Sequence, residues 1–271
     1  MKPKPTLEIL ISTMNRKDLS FVDAMFPKLD LSSYQLLIIN QTKHKKDLVS
    51  EIEGIRVINA REFGLSKSRN LAIDNAIGDI LVIADDDIEY LPGFDKTILQ
   101  AYQTYDQASL ISFQFLTDPP EYSKTYRLKS GYTRSYKLHL SSIEMTFNRK
   151  DIIKHKLKMN ENFGLGSTFI SGEEQIFYRL LLHKGLKVAY VSQPIALHYG
   201  ESTGFNPAKS DFIKSKTAQM FLLHKYWAYL WLLKYVLFLY RKEHISFFEQ
   251  IKAYKFGLKG IHEFQKLTYE K

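Results

Sequence analysis

Cysteine is absent from this chain of 271 residues. Its absence removes disulfides, thiolate zinc sites and cysteine nucleophiles, and it fits a reducing compartment. The most apolar helical candidate, Tyr226 to Tyr240, is 15 residues long and interrupted by Lys234, too short for a comfortable bilayer span. No secretory leader is expected, because Met-Lys-Pro-Lys-Pro-Thr precedes an apolar stretch only a strand long. Repeats and low-complexity tracts are missing. So are the Gly-x-x-x-x-Gly-Lys-[Ser/Thr] loop, the Gly-x-Gly-x-x-Gly fingerprint and the His-Glu-x-x-His zinc spacing, which excludes the common nucleotide-triphosphate, dinucleotide and zinc-hydrolase motifs.

What remains is a globular chain, 45% hydrophobic, with a formal charge of +9. The charge is uneven. Residues 205–271 hold 12 Lys and Arg against 5 Asp and Glu, so most of the excess sits in the last quarter. Such a tail can meet nucleic acid, anionic lipid or an acidic partner.

Strand and helix signals alternate through the first ninety or so residues: Leu7 to Ser12, Gln35 to Asn40, Ile55 to Asn59 and Ile80 to Ala84, with a helix over Ser66 to Ala76 closed by Gly78. Alternation of this kind predicts a mostly parallel sheet, whose ligands gather beyond the carboxyl ends of the strands. Asn15-Arg16, Asn40-Gln41 and Asp85 to Asp87 all follow strands. Further on, Glu173 to Lys184 reads as a helix, Lys187 to Val191 as a strand followed by a turn at Pro194, and residues 212–271 as helical throughout. The helix around Tyr226 to Tyr240, with Trp227, Trp231, Lys225, Arg241 and Lys242, fits a surface-lying membrane helix as well as one packed on the core or on a second subunit.

The run Ile80 to Ala84 drives straight into Asp85-Asp86-Asp87. Three adjacent carboxylates at a strand end repel one another unless a cation neutralises them, and oxygen-only ligands favour magnesium or manganese shared with a substrate phosphate. An acidic turn or helix cap is the reading that needs no ligand.

Four segments, Ser12 to Arg16, Gly64 to Asn70, Asp85 to Asp87, and Gly172-Glu173-Glu174 with His198 downstream, stand in the order and spacing of family-two glycosyltransferases. The chain resembles that family over about residues 6–205. The resemblance implies a GT-A fold: an α/β architecture with a mostly parallel, Rossmann-like central sheet flanked by helices. Here it would carry a C-terminal helical extension. It divides the chain into a nucleotide-sugar half (1–94), an acceptor half (95–205) and a basic, aromatic helical segment (206–271).

The same resemblance implies the roles. Thr13, Asn15 and Arg16 wrap the donor nucleotide. Asn40 and Gln41 stand where many members have base-holding acids, and their amides can still bond a uracil edge. Ser66, Arg69 and Asn70 belong to a Gly-x-x-x-x-Arg-Asn segment near the nucleotide, although Arg69 could equally be a structural ion-pair donor to neighbouring acids. Asp85 and Asp87 fit the Asp-x-Asp element, with Asp87 the direct ligand of Mn2+ or Mg2+, Asp85 nearer the ribose or metal, and His198 a third ligand. Asp86 is grouped with the donor-binding residues, although the alternation of an extended chain turns it to the opposite side.

Glu173-Glu174 matches the family's acidic pair. Aligned on it, Glu174 is the base that takes the proton of the attacking hydroxyl, with Glu173 the rival; favourable placement of acids at a helix N-terminus explains the pair without catalysis. The expectation is an inverting glycosyltransferase that moves a sugar from a UDP-linked donor to a glycan or lipid-linked glycan. It would serve surface polysaccharide synthesis at the cytoplasmic face of a membrane, as a possible homo-oligomer and without nucleic acid. A nucleotidyltransferase, or a nucleic-acid-binding protein using the basic tail, are the rival classes.

Overall fold

The computed structural model describes residues 5–27, 29–117, 121–122, 126, 129–134, 138–199 and 206–269. The four aliphatic runs become β1 (Leu7–Met14), β2 (Gln35–Gln41), β3 (Ile55–Ala60) and β4 (Ile80–Asp85). β1 pairs parallel with β2 and β4, and β2 parallel with β3. Both faces of these strands are covered, which is why they read as unbroken rather than alternating apolar runs. Ile9, Ile11, Leu36, Ile38 and Val82 enter one core cluster, while Leu10, Leu37, Ile39, Leu81 and Ile83 enter the other.

The second half of the sheet is mixed. It contains β5 (Ile88–Tyr90), β6 (Ala108–Thr117), β7 (Glu121–Tyr122), β8 (Gly131–Thr133), β9 (Met145–Asn148) and β10 (Lys187–His198). Among the described residues the strand order is β3-β2-β1-β4-β9-β6-β10-β5, with β7 on β6 and β8 on β10. β6 and β10 are parallel, whereas β9 runs antiparallel to β4 and β6, and β5 antiparallel to β10. The mostly parallel expectation therefore holds, with antiparallel strands on the acceptor side.

Helices α1 (Ser20–Met25), α2 (Leu65–Asn75), α3 (Phe94–Thr104), α4 (Arg149–Lys154) and α5 (Glu173–His183) flank the sheet, and α6 (Ser210–His224), α7 (Trp227–Arg241) and α8 (Gln250–Tyr269) follow it. Two expectations need correcting. Pro194 does not end a strand: β10 runs through it to His198 with register shifts on either side, because a residue without an N–H is tolerated at a bulge. The C-terminal segment is helical, but not throughout. Lys225 and Glu243 adopt positive φ, 50° and 59°, and a capping box of Ser246 and Glu249 starts a new turn before α8. Those breaks fold three helices back on one another.

This helical segment does not stand apart from the rest. Phe163, Phe169 and Ile176 share a buried cluster with Ala218, Phe221, Ala228, Ile261 and Phe264. Burying a side chain of this size contributes roughly 1.5–3 kcal/mol, so α6 and α8 brace the segment that leads into α5.

Candidate active site

Parallel register brings the first three expected segments together. Thr13 lies beside Asn40, Met14 beside Gln41, and Ser12 beside Asp85. Beyond β1 the chain turns sharply at Asn15, whose φ is 56°, a conformation Asn tolerates better than most residues. The Arg16 backbone N–H donates to Asn40 Oδ1 and Asn40 Nδ2 returns a bond to the Arg16 carbonyl, both at 3.1 Å. Gln41 Nε2 donates to the carbonyls of Glu62 (2.8 Å) and Gly64 (3.1 Å). Asn40 is fully buried. These amides, expected on a base edge, are spent on holding the loops that frame the cleft.

The acidic triplet fans out in three directions. Asp85 Oδ1 accepts from Arg69 Nη2 at 3.0 Å and its Oδ2 from Ser142 Oγ at 2.8 Å. Asp86 Oδ2 accepts from Arg16 Nη2 (2.7 Å) and Nε (3.0 Å) and from Thr13 Oγ1. It does not point away from the cleft, because Asp86 and Asp87 sit in a turn between β4 and β5, where strand alternation no longer applies. Asp87 Oδ2 lies 3.4 Å from His198 Nε2. The antiparallel pairing of β5 with β10 sets His198 opposite Ile88 and closes the long sequence gap between the two.

Burial raises the Asp87 carboxyl above its ordinary pKa; His198 opposes that shift, while the charges of Asp85 and Asp86 add to it. A cation there would relieve both. Among the described residues no three His, Asp or Glu side chains form a closed metal cage. A carboxylate and an imidazole side by side nevertheless fit a divalent ion that takes its remaining oxygens from a diphosphate and water. Asp85 is otherwise engaged, so Asp87 and His198 are the residues that would hold it.

The acidic pair meets the triplet through one side chain. Arg69, on the first turns of α2, is 1% exposed. Its Nη2 binds Asp85, and its Nη1 lies 3.1 Å from Glu173 Oε1 and 3.6 Å from Glu174 Oε1. Burial opposes its charge, and three surrounding carboxylates more than offset that, so its pKa stands above the ordinary arginine value. Both readings of Arg69 meet here: the guanidinium is a structural ion-pair donor, and the acids it pairs with are those of the site.

Ser66 and Asn70 are buried as well, and they fasten α2 to the acceptor half. Ser66 Oγ donates to the Phe163 carbonyl at 2.6 Å, and the Asn70 amide exchanges bonds of 3.0 and 2.8 Å with the backbone of Met159. Gly164, at φ 106°, lets this approach happen: a Cβ there would lie 3.1 Å from Ser66 Oγ and 3.2 Å from Glu173 Cδ.

The two glutamates differ. Glu173 is buried, with Oε1 on Arg69 and Oε2 unpaired. Glu174 retains partial exposure, and its pKa is pushed up to about 8 by burial and by the charge of Glu173, against the pull of Arg69. A carboxylate of that basicity that still meets solvent suits a proton acceptor near neutral pH.

Sequence reasoning missed three contributors. Ser142 reaches Asp85 from a short 3-10 turn (Ser142–Glu144) ahead of β9. Gln219 and Lys216 come from α6. The Gln219 amide donates to the Gly172 carbonyl at 3.4 Å and accepts from Lys216 Nζ at 3.4 Å. Burial lowers the pKa of Lys216, while the charges of Glu174 and Glu173 work the other way. Nothing local marks these residues: a Ser in a loop and a Lys on a helix have no spacing signature, and only packing brings them to the cleft.

The Glycosyl transferase family 2 model matches residues 9–172. No curated protein matches the chain in sequence. Among solved structures, residues 1–349 of TarS from S. aureus align with a TM-score of 0.59 at 10% identity, over 94% of this chain and 81% of that one. The same TarS fragment in complex with UDP-GlcNAc aligns with a TM-score of 0.58 at 10% identity, over 96% and 80%. In complex with UDP it gives 0.55 at 10% identity, over 94% and 81%. At such identity these structures speak to the fold alone, and that fold is GT-A.

Proposed function

The chain belongs to glycosyl transferase family 2 and is a glycosyltransferase; from that premise we propose a metal-dependent inverting enzyme that uses a nucleotide-sugar donor, a UDP-linked sugar. The acceptor in this reading is a hydroxyl of a glycan or lipid-linked glycan, in surface polysaccharide assembly at the cytoplasmic face of a membrane. The observation that carries it is the single buried guanidinium of Arg69, in contact with Asp85 at the donor end and with both Glu173 and Glu174 at the acceptor end. In this reading the leaving-group end and the proton acceptor meet on one side chain.

In the reaction so assigned, the nucleotide lies over the carboxyl ends of β1 and β4, bounded by Thr13, Asn15 and Arg16. Asn40 and Gln41 fix that loop from beneath. Asp87 and His198 would hold Mn2+ or Mg2+, which when bound stabilises negative charge on the departing diphosphate. Arg16, clamped to Asp86, holds guanidinium N–H donors at the same end. The acceptor oxygen attacks the anomeric carbon from the side opposite the diphosphate, its proton passes to a Glu174 carboxylate oxygen, and the carbon–oxygen bond to the diphosphate breaks with its electron pair leaving on the UDP. One displacement inverts the anomeric centre.

Screening nucleotide sugars for hydrolysis and thermal stabilisation with and without manganese tests this reading. Manganese-dependent stabilisation by UDP-sugars is the expected result. Stabilisation by other nucleotide sugars alone would replace the donor, and indifference to manganese and magnesium would remove the metal.

A further inference from the structure

Apolar residues of α7 recur on two faces. Ala228, Leu232, Val236 and Leu239 are buried: the last three cluster with Ile213 of α6 and Ala253 of α8, and Ala228 with Phe221 of α6 and Ile261 of α8. On the other side Trp227, Leu230, Leu233, Leu237 and Tyr240 repeat every three or four residues, each between 42% and 73% exposed. The turn into α8 adds Phe247 at 66% and Phe248 at 87%, and Ile251 follows at 69%. A contiguous exposed apolar face of this extent marks an interaction surface.

Cations frame it. Lys234, Arg241 and Lys242 line a shallow groove with Leu237 and Phe238. From Lys225 to Lys255 the chain carries six Lys and Arg against two Glu, and Glu249 is used by its capping box with Ser246. Among the described residues none of the six forms a salt bridge. Helix α7 spans 15 residues, and no helix among the described residues is long and apolar enough to cross a membrane.

The pattern discriminates between occupants. A second copy meeting this stripe through a two-fold axis would bring the unpaired Lys234 and Arg241 of one chain towards those of the other in a drying interface. An anionic bilayer surface takes both halves of the pattern at once. Aromatic and aliphatic side chains enter the headgroup boundary, and Lys and Arg stems lie along it with their charges on phosphate.

We propose that the outer face of α7, together with the Phe247-Phe248 turn and the start of α8, docks in the plane of an anionic lipid surface. The same helical unit ties Gln219 of α6 to the Gly172 carbonyl, next to the acidic pair, so docking holds that site at a fixed height above the headgroups. The inference rests on the membrane placement proposed above. Its test uses neither donor nor acceptor, so it can fail while the glycosyltransferase reading stands.

The measurement is co-flotation of the full chain with vesicles of phosphatidylcholine, with and without phosphatidylglycerol. Alongside it, fluorescence of Trp227 and Trp231, the two tryptophans of the sequence, reports burial. Binding to the anionic vesicles with a blue shift is expected. Replacing Lys234, Arg241 and Lys242 together by Ala should weaken binding about tenfold or more, and so should Leu237→Ser with Phe248→Ser, each without loss of thermal stability. Absence of anionic-vesicle binding by the wild-type chain would overturn the proposal. So would a dimer by light scattering that Leu237→Asp dissociates while vesicles remain unbound, which would assign the face to a second copy.

Discussion

At the carboxyl end of the sheet, Ser66, Arg69, Asn70 and Glu173 are each under 5% exposed, whereas on α7 and the following turn Trp227, Leu237 and Phe248 are more than half exposed. Soluble chains ordinarily arrange these residue types the other way round. Buried charge is kept where partners compensate it, and here Arg69 and its three carboxylates do so. Exposed apolar surface is kept where something outside the chain covers it. The cleft therefore carries its partners within the fold, while the helical face lacks one, and perturbing the two regions should have opposite consequences for stability.

The largest effect is expected from Glu174→Gln. Turnover should fall about 10²- to 10⁴-fold, the range of a lost general base, while calorimetric UDP affinity stays unchanged; turnover near wild type would transfer the role to Glu173. Arg69→Met should cost about 3–5 kcal/mol, because it strands buried carboxylates, and urea denaturation would report it. An unchanged midpoint would mean that the cluster is already neutral. Asp87→Ala is expected to abolish the manganese-dependent part of UDP affinity, with a thermal midpoint close to wild type.

Titration sharpens the contrast further. Because the base works only when ionised and the pKa of Glu174 is pushed up to about 8, kcat should rise with pH until that region. A carboxyl whose pKa is raised on folding stabilises the native state fully below its ordinary value, and that contribution is lost as pH climbs through the folded pKa. The stability of Glu174→Gln relative to wild type should therefore improve between about pH 5 and the region of the raised pKa. A pH-independent difference between the two melting curves would argue against the shift. The smallest effect belongs to Lys216→Met, which removes a neighbouring cation and should move the kcat limb to higher pH; an unmoved limb would leave Lys216 with a packing role only.

Much of this was legible before any coordinates. The aliphatic runs announced their strands because burial on both faces demands unbroken apolar sequence, and helices α2 and α5 fell within a residue or two of expectation, although α2 ends at an extended Ala76 rather than at Gly78. Legibility stopped where partners are remote in sequence. Asp86 was assigned by strand alternation and lies in a turn. Asn40 and Gln41 suggested base contacts and instead tie down loops, since nothing in a dipeptide reveals which carbonyls will come within reach. Lys216 and Gln219 lie beyond the matched family region, and Gln219 reaches the Gly172 carbonyl beside the acidic pair only because α6 packs on Phe163, Phe169 and Ile176.

Local sequence determined the elements, the acidic triplet, the acidic pair and the basic, aromatic tail, because periodicity and charge are properties of neighbours along the chain. Which carboxylate faces Arg69, which faces Arg16 and which faces His198 was decided by the register of β1, β4, β5 and β10 and by the turn between β4 and β5. The tertiary packing of α6 to α8 likewise chose which side of α7 would be buried. A helix apolar on both sides gives no preference of its own, so the choice fell to the neighbours it met.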